Sequence, residues 1–126
     1  MNFFQRRKRL KGANYLELTP IRIIKEEIDS NNIVTVLIPK VTNKFAKKYF
    51  EPMLKSPFIK LKLDELGSAS WLAMSGNKKV FEIVNELKEK FGEKIHPVEE
   101  RVTKFLTVLY NQKLITFEEV KGESNG

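Results

Sequence analysis

The chain contains no cysteine. Disulfides, thiolate metal ligands and thiol nucleophiles are therefore excluded, and a cytoplasmic location fits that composition. Histidine occurs once, so no His pair can hold a metal; His96 precedes Pro97 and reads as a cap or loop residue. No run of about 18 apolar residues is present to cross a bilayer. The opening "MNFFQRRKRLKG" is basic, but no apolar stretch of about 7–15 residues follows, so it does not read as a secretory signal. Phosphate-binding glycine loops are missing too, both the Walker pattern and GxGxxG. Ser68, Ser70 and Ser75 have no visible triad partners. Glu99 and Glu100 are adjacent, so on a helix they point about 100° apart and make a poor acid–base pair; Asp64 and Glu65 share that defect. These absences describe a binding protein with no cofactor rather than an enzyme.

At 126 residues the chain suits one domain with a modest core. Its net charge of +7 is unevenly spread. Residues 1–62 carry 14 Lys/Arg against 5 Asp/Glu, and residues 63–126 carry 9 against 11. The basic character thus belongs to the N-terminal half. Residues 1–13, with Arg6, Arg7, Lys8, Arg9 and Lys11, read as a mobile basic arm. Residues 121–126 read as a disordered tail.

Between them, residues 14–120 read as one α+β domain. "PIRIIKEEI" and "NIVTVLIPK" are predicted strands, rich in β-branched residues. Asp29–Asn32 makes a hairpin turn between them, and Pro39 ends the second. Residues 40–57 form a basic amphipathic segment: Phe45, Tyr49 and Met53 recur every four residues, with lysines opposite. "FIKLKLD" alternates cleanly and is a third strand, with Ile59, Leu61 and Leu63 on its buried face and Phe58, Lys60 and Lys62 on the other. Three helices follow. The first is capped by Asp64 and turns Leu66, Ala69, Leu72 and Ala73 inward, with Trp71 in the core. Gly76 closes it, Asn77 caps the second, and Gly92 ends that one. The third starts at Pro97 and has a stripe of Val98, Val102, Phe105, Leu106 and Leu109. "LITFEE" is a short edge strand or wing. The fold class is a winged helix–turn–helix: a three-stranded N-terminal sheet packed on three main helices, with a short C-terminal wing.

A helix–turn–helix raises nucleic-acid binding as one function. Against it, the third helix opens on Glu99 and Glu100, which repel phosphate, and offers only Arg101 and Lys104 over its first turns. Peptide binding fits better. The strand Phe58, Ile59, Lys60, Leu61, Lys62 and Leu63 is a candidate edge for an added strand. On the third helix Val108 lies off the core stripe with Arg101 and Lys104 on its side, an apolar contact flanked by positive charge that suits acidic peptides. A third reading is an adaptor on a membrane surface, using Phe45, Tyr49 and Phe50 with nearby lysines. The sequence also leaves a homodimer open.

The stretch "LDELGSASWLAMSGNKKVFEIVNELKEKFG" with "VEERVTKFLTVLYNQKLI" resembles the PqqD-like family. The residues that carry the likeness are Leu63, Asp64, Glu65, Gly67, Trp71 and Gly76, then Glu82-Ile83-Val84, Leu87 and Phe91. Val102, Phe105-Leu106, Leu109 and Leu114-Ile115 complete it. The likeness runs over about residues 60–117, and departs where Lys113 stands for the usual Gly. It implies a peptide chaperone, a recognition element for precursor peptides of ribosomally made, modified natural products. Such proteins bind the leader as an added strand and present it to a radical S-adenosylmethionine maturase. Carried onto this chain, the leader site is Phe58–Leu63 with Arg101, Lys104, Phe105 and Val108.

Overall fold

A computed structural model describes residues 15–40 and 57–120. The basic arm and the C-terminal tail inferred from sequence lie outside these residues, as does the amphipathic segment except for Lys40 and Pro57. The strands are β1 (Pro20–Arg22), β2 (Glu26–Ile28), β3 (Val34–Pro39), β4 (Phe58–Lys62) and β5 (Ile115–Phe117). The helices are α1 (Glu65–Ala73), α2 (Val80–Phe91) and α3 (Val98–Asn111). Antiparallel β2–β3–β4 forms one sheet, and β1 pairs antiparallel with β5 in a second. The architecture is α+β, a three-stranded sheet on three helices.

"PIRIIKEEI" is not one strand. It changes sheets in its middle: Ile23 N–H donates to the Leu114 carbonyl on the β5 side, whereas the Lys25 carbonyl accepts from Leu37 in β3. Glu26 explains why the second half is drawn inward. Its Oε1 accepts from Trp71 Nε1 at 3.1 Å and from Arg22 Nη1 at 2.9 Å. The indole is fully buried, so its N–H requires an acceptor, and Glu26 supplies one from a strand.

The Asp29–Asn32 turn forms as the sequence implies. Asp29 Oδ1 accepts from the N–H groups of Asn31 and Ile33, and Asn32 takes the left-handed φ of 61°. Those two backbone donors hold the Asp29 carboxyl below its usual range.

Helix α1 differs from its sequence reading. Its most enclosed residues are Gly67, Ser68, Ser70, Trp71 and Ala73, while Leu66, Ala69 and Leu72 are only half-buried. The serines tolerate this because their hydroxyls are used. Ser70 Oγ donates to the Leu66 carbonyl, and Ser68 Oγ accepts from Val34 N–H on β3. Asp64 does cap α1, accepting from Gly67 N–H at 2.7 Å. Asn77 does not cap α2. The helix starts later, at Val80, with Lys79 as its N-cap and the Lys79 N–H donating to Glu82 Oε1, and Asn77 instead accepts from Ser75 Oγ.

Helix α3 ends in a Schellman motif: Leu114 N–H donates to the Leu109 carbonyl and Lys113 N–H to that of Tyr110. Lys113 carries the left-handed φ of 64° that the motif demands. Of the two readings of "LITFEE", the short strand is the one that forms: β5 pairs with β1 in a two-stranded sheet. Ile115 and Phe117 are fully buried, Phe117 packs against Tyr110 with ring centroids 5.1 Å apart, and β5 zips to β1. Thr19 strengthens that pairing, donating its N–H and hydroxyl to the Glu119 carboxylate at 2.8 and 3.0 Å.

Candidate functional site

The register of β4 on β3 sets Leu61 opposite Val36 and Ile59 opposite Ile38, so these side chains share the helix-side face of the sheet. Val34 and Val36 are fully buried there. Their neighbours on β4 are not, with Ile59 53% and Leu61 40% exposed. The sequence reading buried both; the helices cover β3 and stop short of β4. Only Leu63, beyond the strand's end, enters the core. An alternating strand shows which residues share a face, but not whether anything covers that face.

The outer edge of β4 has no strand partner among the described residues. Leu63 N–H donates to the Val34 carbonyl, which fixes the alternation along the strand. Leu63, Leu61 and Ile59 turn their backbone groups to β3. Lys60 and Lys62 turn theirs outward, and their side chains lie on the face away from the helices. Lys60 Nζ lies 3.5 Å from Glu27 Oε1 across that face, with both side chains more than half exposed, so the pair contributes little.

Beyond β4 the chain bends at Asp64 into α1, and a hollow of about 360 Å³ opens between this corner and α3. Asp64, Leu66 and Gly67 form one wall. Arg101, Lys104, Phe105 and Val108 form the other. All four third-helix positions chosen from sequence therefore meet at one hollow. Phe105 is half-buried at its floor, and Val108 is 51% exposed on its rim. Gly67 lets the walls approach: a Cβ there would lie 3.0 Å from Asp64 Oδ1 and 3.5 Å from Phe105 Cζ. Of the six residues chosen around the strand, Phe58–Lys62 form the neighbouring strand rather than the hollow itself, and Leu63 is in the core.

Sequence reading missed Asp64, Leu66 and Gly67 as wall residues, because their patterns are fully accounted for as cap and helix. It also missed a second hollow of about 580 Å³ on the adjoining strip of α3. That hollow shares Lys104 and Val108 with the first and adds Thr103 and Thr107. Its far wall is Tyr15 and Leu16, at a 3-10 turn over Tyr15–Glu17. No periodic signal marks this turn, since three residues are too few to show a period. Burial pushes the Tyr15 hydroxyl up to about 12, against the opposing effect of its bond with Thr107.

Chemically, the arrangement offers, among the described residues, a β4 edge with no strand partner at Lys60 and Lys62, two exposed apolar side chains at Ile59 and Leu61, and cationic side chains on α3. No group of three or more His, Asp or Glu side chains among the described residues could hold a metal. No helix among them is long and apolar enough to cross a membrane.

Residues 60–115 match the family model described as Coenzyme PQQ synthesis protein D (PqqD). The matched stretch runs from the middle of β4, through all three helices, to the first residue of β5. No curated protein and no solved structure matches the chain.

Proposed function

We propose, from a chain that is PqqD-like over residues 60–115, that this protein binds an extended acidic peptide as a fourth strand on β4. It would hold a precursor's leader there for a modifying enzyme, such as a radical S-adenosylmethionine maturase. In this reading the protein is the accessory partner and the chemistry belongs to the enzyme. The observation that carries it is the state of β4, whose outer edge at Lys60 and Lys62 has no strand partner among the described residues and whose Ile59 and Leu61 stand exposed beside a hydrophobic core.

Lys60 and Lys62 supply outward N–H and C=O groups for main-chain pairing. Alternate side chains of the guest would cover Ile59 and Leu61 and reach Phe105 and Val108. Carboxylates of the guest would meet Lys60, Lys62, Arg101 and Lys104, none of which lies deep enough to make pairing expensive in desolvation.

The test uses a fluorescein-labelled octapeptide alternating Leu with Asp and Glu. Saturable anisotropy is expected, with slowed amide exchange at Lys60 and Lys62. Lys104→Glu is expected to weaken binding about tenfold, on the order of 1 kcal/mol for an exposed charge pair turned repulsive, with unfolding unchanged. Normal binding by that variant, together with unprotected β4 amides, defeats the reading. A steep loss of binding to an unrelated DNA duplex with salt would mark that contact as merely electrostatic.

A further inference from the structure

The larger hollow adjoins the first across Lys104 and Val108, and its chemistry differs. In the larger hollow the polar atoms of the wall are already engaged. Thr103 Oγ1 donates to the Glu99 carbonyl at 2.9 Å, and Thr107 Oγ1 lies 2.8 Å from the Thr103 carbonyl oxygen. Both threonines thus bond back along α3 and leave their methyl groups to the hollow. Tyr15 Oη lies 3.1 Å from Thr107 Oγ1. Its ring is fixed edge-on to Phe117 at 5.6 Å between centroids, so the wall is built before any guest arrives.

The threonine hydroxyl protons are already committed to carbonyls, so away from the charged side chains at its end the wall offers a polar guest group little to offset its desolvation. An apolar group fits, and the volume of about 580 Å³ admits the largest side chains. The rim is charged and ordered. Glu99 and Glu100 stand exposed at the start of α3, with no ion-pair partner among the described residues. Lys104 stands on the ridge shared with the first hollow.

We infer that this hollow takes a large apolar side chain of the bound peptide, with a neighbouring Lys or Arg of that peptide against Glu99 and Glu100. This rests on the reading that the groove binds a peptide, and it specifies its ligand: an acidic extended stretch, then an apolar anchor, then a cation. The charge order along α3 matches, from Arg101 and Lys104 beside β4 to the two glutamates beyond the ridge.

Two capped dipeptides test it, N-acetyl-Trp-Lys-amide and N-acetyl-Trp-Glu-amide, titrated against the full chain by methyl and amide NMR. Shifts are expected at Leu16, Thr103, Thr107 and Val108, with the Lys probe about threefold tighter, as exposed pairs allow. Glu100→Lys, a surface change, is expected to reverse that order. Thr103→Trp fills the hollow and is expected to abolish the shifts while the acidic octapeptide still binds at β4. Absent shifts at these residues, or equal binding of the two probes, overturns the inference. Loss of octapeptide binding with the dipeptides intact overturns the strand-addition reading alone and leaves this compartment standing.

Discussion

Lys113→Gly is expected to stabilise the protein. Lys113 sits at φ 64°, in the left-handed region where a side chain crowds the backbone. That crowding costs about 1–2 kcal/mol for an L-residue with a Cβ. Glycine avoids it but loses more backbone freedom on folding, roughly 0.5–1 kcal/mol. The difference leaves a gain of about 0.5–1 kcal/mol. Little is lost with the side chain, which is exposed at the end of α3, and the two Schellman hydrogen bonds use only backbone atoms. Urea unfolding followed by Trp71 fluorescence reads the change cleanly, because that indole is the sole tryptophan and is fully buried. The midpoint should rise with no change in slope, and Tm should rise by roughly 2–8 °C for a domain of this size. Lys113→Ala serves as control and should gain nothing, since alanine keeps the Cβ. Equal stabilisation by both substitutions, or none by glycine, would refute the left-handed assignment.

Glu26→Ala should cost about 2–3 kcal/mol, because it strands the buried Trp71 N–H and releases Arg22; Glu26→Gln keeps an acceptor and should recover much of that in the same urea assay. A fragment of residues 60–115 should show no cooperative unfolding by circular dichroism, since it removes Val34, Val36 and Phe117 from the core; a sharp transition would contradict this. Burial alone would raise the Glu119 carboxyl, but bonds from Thr19 and the charge of Lys79 hold it below its usual range. A carboxyl depressed in the folded state stabilises above its unfolded pKa, and that contribution fades as pH falls through the folded value. Acid titration below about pH 4.5 should therefore loosen the β1–β5 pairing, and Glu119→Gln should flatten that part of the profile.

Helical stripes proved the most legible part of the chain. Val80, Ile83, Val84, Leu87 and Phe91, and Val98, Val102, Leu106 and Leu109, are buried at the spacing their order implies. Helix α1 was harder, because burial there depends on local hydrogen bonds that let Ser68 and Ser70 turn inward. Ile59 and Leu61 were harder still. Their alternation is that of a buried strand, and what leaves them bare is the reach of helices joined to them only through tertiary packing. That Arg101, Lys104 and Val108 share one hollow was readable, since a valine off the core stripe beside two cations is a local pattern. The larger hollow was not, as it joins Tyr15 to Thr107 across most of the chain. Lys113 shows the reverse: an exchange at a glycine position is visible in sequence, while its physical meaning, a strained turn, comes from the backbone angle.

The β1–β5 pairing joins Pro20 to Phe117 and Arg22 to Ile115. Those contacts close a loop of almost the whole described chain, so their entropy must be met before they return any stabilisation. They are accordingly contacts that a folding nucleus would leave for last. The helices and the β2–β3 hairpin can assemble from near neighbours, with the clasp shutting afterwards. Native-state hydrogen exchange at Ile21 and Thr116 would report how readily the clasp opens. Because Tyr15 and Leu16 lie only a few residues before β1, opening the clasp would dismantle the larger hollow while leaving the edge of β4 in place.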